Sequence, residues 1–170
     1  WLLLTLVGED GFVALCHAMA TLSTSGISPL PGGVSGALGG RLAELVMAAF
    51  LIFALSRRVM ARLMGQGTTR ALTRDPEIGL AALILGFAVS ILFLINLVAM
   101  LRGAGAVTVS DLLGGLWALA FTCLSFLTTT GFVAQGWNNL QHASGLAAPD
   151  VVLWGLAIIG GGVACTAGGV

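Results

Sequence analysis

The strongest constraint on the fold of this chain is one apolar run, residues 78–101, in which 24 consecutive residues carry no charge. A helix needs roughly 20 apolar residues to cross a hydrocarbon core of about 30 Å. We therefore expect this run to span a membrane. A second span is predicted from residue 41 to about residue 64, with Glu44 near one end and Arg57 near the other.

The composition favours lipid as the surroundings of the chain. Hydrophobic residues make up 58% of the 170 residues and charged residues only 8%. Soluble domains carry roughly 25% charged residues, so this chain has too few polar groups to cover its surface in water. The formal net charge is zero. No strongly basic surface is present to bind nucleic acid, and we expect no nucleic-acid partner.

The few charged residues predict how the chain is oriented in the membrane. Lys is absent, and five of the seven Arg lie within residues 57–74. By the positive-inside rule, the linker at residues 65–77 is cytoplasmic. The opposite loops are then external, and they carry the acidic residues Glu9, Asp10, Asp111 and Asp150.

Two shorter apolar stretches share one pattern, and their terminal glycines, Gly26 and Gly131, are 105 positions apart. The first stretch, residues 11–22, follows an acidic pair and ends in Ser-Thr-Ser-Gly. The second, residues 112–127, follows Ser-Asp and ends in Thr-Thr-Thr-Gly. Both are short for a spanning helix, so we expect them to be re-entrant. Internal repeats are common in transport proteins. The polar segment 135–144 is expected to be a loop.

The hydroxyl-rich segments that end these stretches have a composition suited to cation binding. Non-helical backbone at membrane depth is tolerated only where it is buried or lines a wet cavity. Extended Thr/Ser-Gly backbone offers carbonyl and hydroxyl oxygens that replace the hydration shell of a monovalent cation. The C-terminal ends of the preceding helices carry partial negative charge, which favours a cation over an anion.

Four segments resemble, in the same order, motifs of the Trk/Ktr/HKT superfamily of potassium transporters, in particular its TrkH-type membrane subunits. Residues 17–28 (HAMATLSTSGIS) resemble the second pore helix and filter, and residues 125–132 (SFLTTTGF) resemble the third. Residues 74–77 (RDPE) match a cytoplasmic stretch between the second and third repeats. Residues 159–169 (IGGGVACTAGG) resemble the intramembrane gating loop.

The resemblance implies an all-α integral membrane protein built from helix–pore loop–helix repeats, with re-entrant pore helices and extended filter loops. Four repeats surround one ion path in this family. The chain would supply the second repeat (residues 1–64), a cytoplasmic linker (65–77) and the third repeat (78–170). Both ends of the chain fall in apolar runs, so we expect it to be an internal segment of a longer protein.

The function implied is potassium uptake of the symporter class, channel-like and driven by membrane potential, with no enzymatic activity. The location implied is a bacterial inner membrane, with the filter loops facing the periplasm. Potassium is the transported ligand and no covalent cofactor is implied. Besides membrane lipid, the implied partners are a second copy of the protein, giving a homodimer, and a cytoplasmic nucleotide-binding regulatory subunit.

The resemblance also assigns residues to the filter and to the gating loop. The implied ion-binding filter comprises Ser23, Thr24, Ser25, Gly26, Ile27, Thr128, Thr129, Thr130, Gly131 and Phe132. Within it, potassium would contact Thr24, Ser25, Thr129 and Thr130. The implied gating loop comprises Gly160, Gly161, Gly162, Thr166, Gly168 and Gly169.

Two departures from the family pattern bear on selectivity and gating. Ser25 stands where the family often has a Gly before Gly26, and Ala164 and Cys165 replace Gly and Ser in the gating loop. Gly is kept at positions 26 and 131, which favours potassium over sodium within the family. The alternatives are a sodium- and potassium-permeable relative of the same fold and a non-conducting membrane scaffold.

Other residues admit competing interpretations. An intramembrane hydrolase with Ser25 as nucleophile and His17 as base is an alternative of another class. A helix end separates the two residues, so sequence does not imply the hydrogen bond that such a mechanism needs, and we expect His17 to be structural. Glu44 is costly inside a membrane and is expected to face a vestibule or a packed interior.

Overall fold

A computed structural model of the chain describes residues 1–54, 76–102, 108–144 and 149–160. These residues form helices and connecting loops, with no β-strand among them, as the sequence predicts. Three predicted features lie outside the described residues. They are the C-terminal part of the second span, the Arg-rich linker and the gating loop beyond Gly160.

The described residues form seven α-helices and one short 3₁₀ helix. In chain order they are α1 (Leu2–Leu6), α2 (Gly11–Leu22), the 3₁₀ helix (Gly33–Gly36), α3 (Gly40–Ala54), α4 (Pro76–Arg102), α5 (Val109–Leu127), α6 (Trp137–Ser144) and α7 (Pro149–Ile159). Helices α2 and α5 correspond to the two short apolar stretches of the repeat.

The acidic residues at the start of α2 and α5 cap the free N–H groups of these helices. The Asp10 carboxylate accepts a hydrogen bond from the Phe12 main-chain N–H at 3.0 Å. At the start of α5, Thr108 and Asp111 form a capping box. The Thr108 side chain accepts a hydrogen bond from the Asp111 main-chain N–H, and the Asp111 side chain accepts one from the Thr108 main-chain N–H. Such a cap contributes about 1 kcal/mol to helix stability. The acidic start shared by the two repeats therefore has a local structural cause.

Among the described helices, two are long and apolar enough to cross a membrane, Gly79–Ala99 within α4 and Val109–Leu127, which is α5. Helix α4 occupies the run that the sequence predicts as the clearest span. Helix α5 has 19 residues, because the Thr108 cap starts it earlier than the apolar pattern indicates. Its length therefore permits a full crossing, whereas the 12 residues of α2 rise only about 18 Å.

Helix α5 is the centre of the packed core. It packs against α3, α4, α6 and α7, whereas α2 packs against α1 and α3. Every residue from 121 to 125 is buried, with Phe121, Cys123 and Ser125 at most 1% exposed. Consecutive helical residues point in all directions around the axis. The C-terminal end of α5 therefore lies inside the protein and is surrounded on every side.

Helix α4 has the opposite character, because six of its large apolar side chains are exposed. The exposed side chains recur at spacings of three and four, which places them on one face of the helix. They are Leu80, Leu83, Phe87, Ile91, Leu94 and Val98. The other face packs into the core through Ala88 and Leu92. The described part of the chain leaves this long apolar face uncovered.

The prediction of a loop over residues 135–144 is wrong for most of that segment, because α6 occupies Trp137–Ser144. Trp137 and Leu140 are buried and belong to the hydrophobic core. Among residues 137–141, whose burial the structure describes, only these two side chains are buried, and they lie three positions apart. Two apolar positions are too few to reveal a helical pattern in a segment that is otherwise polar.

Gly160 ends α7 directly against the end of α5. A Cβ atom at position 160 would overlap the main-chain carbonyl group of Leu127. Gly155 lies in the same helix, but no neighbouring atom comes within 4 Å of its Cβ position. The absence of a side chain at residue 160 therefore sets how closely α7 approaches α5.

We predict that Gly160→Ala lowers the thermal stability of the protein in detergent micelles by about 1–3 kcal/mol, because the added methyl group forces α7 away from α5. Gly155→Ala is the matched control and is expected to stabilise by about 0.5–1 kcal/mol, since Ala is the better helix former. Thermal unfolding of both variants measures the difference. Equal stabilities of the two variants would contradict the close contact.

Candidate functional site

The two hydroxyl-rich segments lie against each other. The first loop, residues 23–27, follows α2, and the second loop, residues 128–132, follows α5. A Cβ atom on Gly26 would overlap the main-chain carbonyl oxygen of Thr130. The main chains of the two loops are therefore in direct contact. Residues that the sequence places in separate repeats come together in one site.

The two loops leave their helices along the same backbone path. Ser23 and Thr128 are the helix C-caps, with φ of −86° and −84° and ψ of −2° and 7°. The next residues, Thr24 and Thr129, both have positive φ, 49° and 59°. Each pair is 105 positions apart, which is the repeat distance of the sequence.

The two loops also match in the conformation of their glycines and in their main-chain hydrogen bonds. Gly26 and Gly131 have φ of 65° and 80°. The Ser25 N–H donates to the carbonyl group five residues earlier at 3.0 Å, and the Thr130 N–H does so at 2.9 Å. This bond pattern around a left-handed residue is the Schellman motif of helix C-termini. The left-handed position of that motif is usually Gly, and here it is Thr in both repeats.

Thr24 and Thr129 are the strained positions of the site. Positive φ is rare for a β-branched residue, and the left-handed conformation costs a residue other than Gly roughly 1–2 kcal/mol. Backbone strain of this kind clusters at functional sites, where the surrounding structure maintains it. Because both loops place the same residue type in the same strained conformation, the path of the backbone is a candidate functional feature.

The hydroxyl groups that begin each loop bond within the loop and to the preceding helix. Ser23 Oγ donates to the carbonyl group four residues earlier at 2.8 Å and lies 3.1 Å from Ser25 Oγ. In the second loop, Thr128 Oγ1 bonds to the corresponding carbonyl group at 3.1 Å and lies 3.1 Å from Thr130 Oγ1. These contacts leave the main-chain carbonyl groups as the main oxygens available to a ligand.

The carbonyl groups of residues 23–27 and 128–132 accept no hydrogen bond from any described residue. Thr24 Oγ1 is buried and likewise has no partner among those residues. Uncharged oxygens of this kind replace the water around a monovalent cation in selective pores. Over the same residues, no three His, Cys, Asp or Glu side chains cluster as metal ligands. The cation ligands that the site offers are therefore the oxygens of the loops.

The second loop is more enclosed than the first. Thr128, Thr130 and Phe132 are buried, Thr129 is half-buried and Gly131 is exposed. In the first loop, only the side chain of Thr24 is buried. Gly26 is half-buried, and Ser23, Ser25 and Ile27 are exposed. Within the described part of the chain, the first loop therefore has an open side.

Two polar residues of α5 hold the chain that leaves the second loop. Ser125 Oγ accepts a hydrogen bond from the Phe132 main-chain N–H at 2.6 Å. Thr122 Oγ1 accepts one from the Ala134 N–H at 3.2 Å. Because these residues are three apart, they lie on the same face of α5. These two hydrogen bonds hold the main chain that follows Gly131 against α5.

Glu44 connects the two repeats. It is 1% exposed, and both of its carboxylate oxygens accept hydrogen bonds. Trp117 Nε1 on α5 donates to Oε2 at 2.7 Å, and the Gln135 main-chain N–H donates to Oε1 at 2.6 Å. A buried carboxylate is tolerated where such donors satisfy it. Glu44 thus ties α3 of the first repeat to the helix and the outgoing chain of the second loop.

His17 and Ser25, the pair that a hydrolase would need, are not bonded to each other. His17 Nε2 lies 2.8 Å from Ser28 Oγ, and Nδ1 lies 3.1 Å from Glu9 Oε2. The Ser25 hydroxyl instead lies beside Ser23 within the first loop. The proposed nucleophile of that alternative therefore lacks its base.

Sequence reasoning missed the residues that hold the loops in place. Ser28, Thr122 and Ser125 are common residue types, and their partners lie 7 to 12 positions away across a turn of the chain. The available signal was the presence of hydroxyl groups in otherwise apolar helices. Polar side chains there are expected to bond to nearby backbone.

No protein-family model, no curated protein and no solved structure matches this chain. The functional interpretation therefore depends on the geometry of the two loops and on the order of the sequence motifs. The repeat itself is internal to the chain, so its two copies can be compared without a relative.

We predict that Glu44→Gln lowers the free energy of unfolding by about 1–3 kcal/mol, because the amide group leaves one of two buried N–H donors without an acceptor. In a double-mutant cycle, Trp117→Phe is expected to cost less in the Glu44→Gln background than in the unmodified protein. Asp150→Asn removes an exposed acid and is the control, with an expected effect within about 0.5 kcal/mol. Additive effects of the Glu44 and Trp117 changes would contradict the bond.

Proposed function

We propose that this chain is part of a membrane pore for potassium uptake and that the two loops form two of its four filter walls. The carbonyl groups of residues 23–27 and 128–132 take the place of water around a dehydrated potassium ion. Oxygens of Thr24, Ser25, Thr129 and Thr130 contribute to the same sites. The movement is channel-like and inward, driven by the membrane potential, and it involves no covalent chemistry.

The single observation that carries this proposal is the identical conformation of the two loops. Each has a strained Thr followed two residues later by a left-handed Gly, and each follows a helix that ends at a hydroxyl residue. A pore formed by repeats needs the same ligand geometry from every repeat, because all of them face one ion. Many helices end in a Schellman turn, but Thr in place of Gly at its left-handed position is rare, and both repeats have it.

The electrostatics of the site favour a cation. Helices α2 and α5 both end at the loops, and the C-terminal end of a helix carries a partial charge of about −0.5. Carbonyl oxygens are the negative ends of peptide dipoles, and those of the two loops accept no hydrogen bond from the part of the chain that the structure describes. Both effects lower the energy of a cation that has lost its water.

The exposed apolar face of α4 supports a location in lipid. Six large side chains along this face have no cover from the described residues, and exposing such a surface to water is unfavourable. The buried end of α5 supports a re-entrant path for this helix. We place the Arg-rich linker in the cytoplasm by the positive-inside rule and the filter loops toward the periplasm of a bacterial inner membrane.

The remaining parts of the proposal come from the motif resemblance. The complete pore has four repeats, forms a homodimer and binds a cytoplasmic nucleotide-binding regulatory subunit. A gating loop starts at Gly160, and the contact of Gly160 with Leu127 supports a position just beside the second loop. Loop movement at that place would open or obstruct the path of the ion.

Ion uptake into liposomes tests the proposal. The full-length protein that contains this chain is reconstituted, and uptake of rubidium, a tracer for potassium, is compared with uptake of sodium under an applied potential. We expect rubidium uptake to exceed sodium uptake. Equal uptake of the two ions would favour the sodium-permeable alternative. No uptake by correctly folded protein with its regulator present would favour a membrane scaffold.

We predict that Gly131→Ser lowers the rubidium-to-sodium uptake ratio by about tenfold, because a side chain at positive φ costs 1–2 kcal/mol and shifts the neighbouring carbonyl groups. Gly26→Ala is expected to be more severe, since its Cβ also overlaps the Thr130 carbonyl oxygen. Gly86→Ala on α4 has open space at its Cβ position and is the control. Equal uptake ratios in all three variants would contradict the filter assignment.

A further inference from the structure

His17 contacts the residue that follows the first loop and the last residue of the second loop. Its side chain is fully buried on α2. The ring bonds to Ser28, which directly follows the first loop. The ring also forms a T-shaped pair with Phe132, the last residue of the second loop, at a centroid distance of 6.0 Å and an interplanar angle of 76°. This side chain therefore lies between the two loops.

The hydrogen bonds of His17 define which nitrogen carries the proton. Glu9 Oε2 lies 3.1 Å from Nδ1, and both side chains are completely shielded from solvent. We assign Nδ1–H as the donor to Glu9, because a carboxylate only accepts hydrogen bonds. In the neutral ring, Nε2 is then the acceptor and receives the Ser28 hydroxyl hydrogen at 2.8 Å. This tautomer is assigned from the network of partners.

Ser28 connects His17 to the main chain that follows the first loop. Its Oγ also accepts the Leu30 main-chain N–H at 3.2 Å. The bonds run without interruption from Glu9 through His17 and Ser28 to the backbone at Leu30. Thr122 has the corresponding place on α5, 105 positions after His17, and holds the chain after the second loop through Ala134. The two repeats thus use different side chains to hold the main chain that follows each loop.

We propose that His17 is a positioning residue that holds the two filter loops in register, with Glu9 fixing its tautomer and Ser28 linking it to the first loop. The inference rests on the proposed function, because register matters only if the loops share a ligand. His17 does not touch the ion. It acts by holding the carbonyl groups of residues 23–27 at the spacing that the second loop requires.

The same three residues also have the order of a serine–histidine–carboxylate triad. Ser28 Oγ also accepts the Leu30 main-chain N–H, which favours a structural role, whereas its bond to His17 is one that a triad would share. A nucleophilic Ser28 is therefore treated as an outcome of the test. A fluorophosphonate probe, which labels activated serines, detects it directly.

Two substitutions break the same bond from opposite sides. In His17→Asn, the amide group lies near the place of Nδ1 and keeps Glu9 paired, but nothing reaches Ser28. Ser28→Ala removes the hydroxyl group and leaves His17 paired with Glu9. Ser90→Ala on α4 is the matched control, because its hydroxyl group bonds only to its own helix, at the Gly86 carbonyl group.

The measurement is the rubidium-to-sodium uptake ratio of the full-length protein in liposomes. We expect a five- to tenfold loss of the ratio in His17→Asn and in Ser28→Ala, which is the factor for a hydrogen bond of about 1–1.4 kcal/mol. The double variant should lose no more than His17→Asn alone, since the bond that Ser28→Ala removes is already absent there. Ser90→Ala should keep the ratio of the unmodified protein.

The outcomes separate this inference from the function on which it rests. A selective unmodified protein whose ratio survives in Ser28→Ala would overturn the positioning role and leave the pore intact. No selectivity in the unmodified protein would overturn both. Should His17→Asn fail to fold, the half-buried Ser28→Ala variant decides alone. Fluorophosphonate labelling that is lost in Ser28→Ala would replace positioning with nucleophilic chemistry.

Discussion

The contact between the main chains of Gly26 and Thr130 is the point on which the rest of the site depends. No side chain fits between these two residues, so the loops approach as closely as two backbones can. The approach requires α2 and α5 to end at the same place inside the protein. It also requires each helix to end in the left-handed turn that redirects the chain, at Thr24 and at Thr129. The close approach of the two loops therefore depends on the helix ends, the strained Thr residues and the glycines together.

The two loops follow the same backbone path, but different side chains hold that path in the two repeats. Around the second loop, Ser125, Thr122 and Glu44 bind main-chain N–H groups directly. Around the first loop, the hydrogen bonds pass through His17 and Ser28. Strain of 1–2 kcal/mol at each Thr is offset by several such bonds, each contributing about 1 kcal/mol. The two loops thus share a backbone path although different side chains support it.

Sequence periodicity and residue type predicted α4, the helical class and the position of the two loops, because these follow from local patterns. The matching glycines and hydroxyl residues were visible at a spacing of 105 positions. Helix α6 was missed, since Trp137 and Leu140 are the only buried side chains among its described residues 137–141. The role of Glu44 was equally hidden, because its donors lie 73 and 91 positions away in the chain. No local pattern identifies partners that only the tertiary fold brings together.

The most direct test of this account is the anomalous scattering of rubidium in crystals of the full-length protein grown in rubidium salt. The account predicts a peak in contact with the carbonyl oxygens of both loops, residues 23–27 and 128–132, and a weaker peak or none at that place in sodium salt. Rubidium that binds elsewhere and contacts neither loop would contradict it.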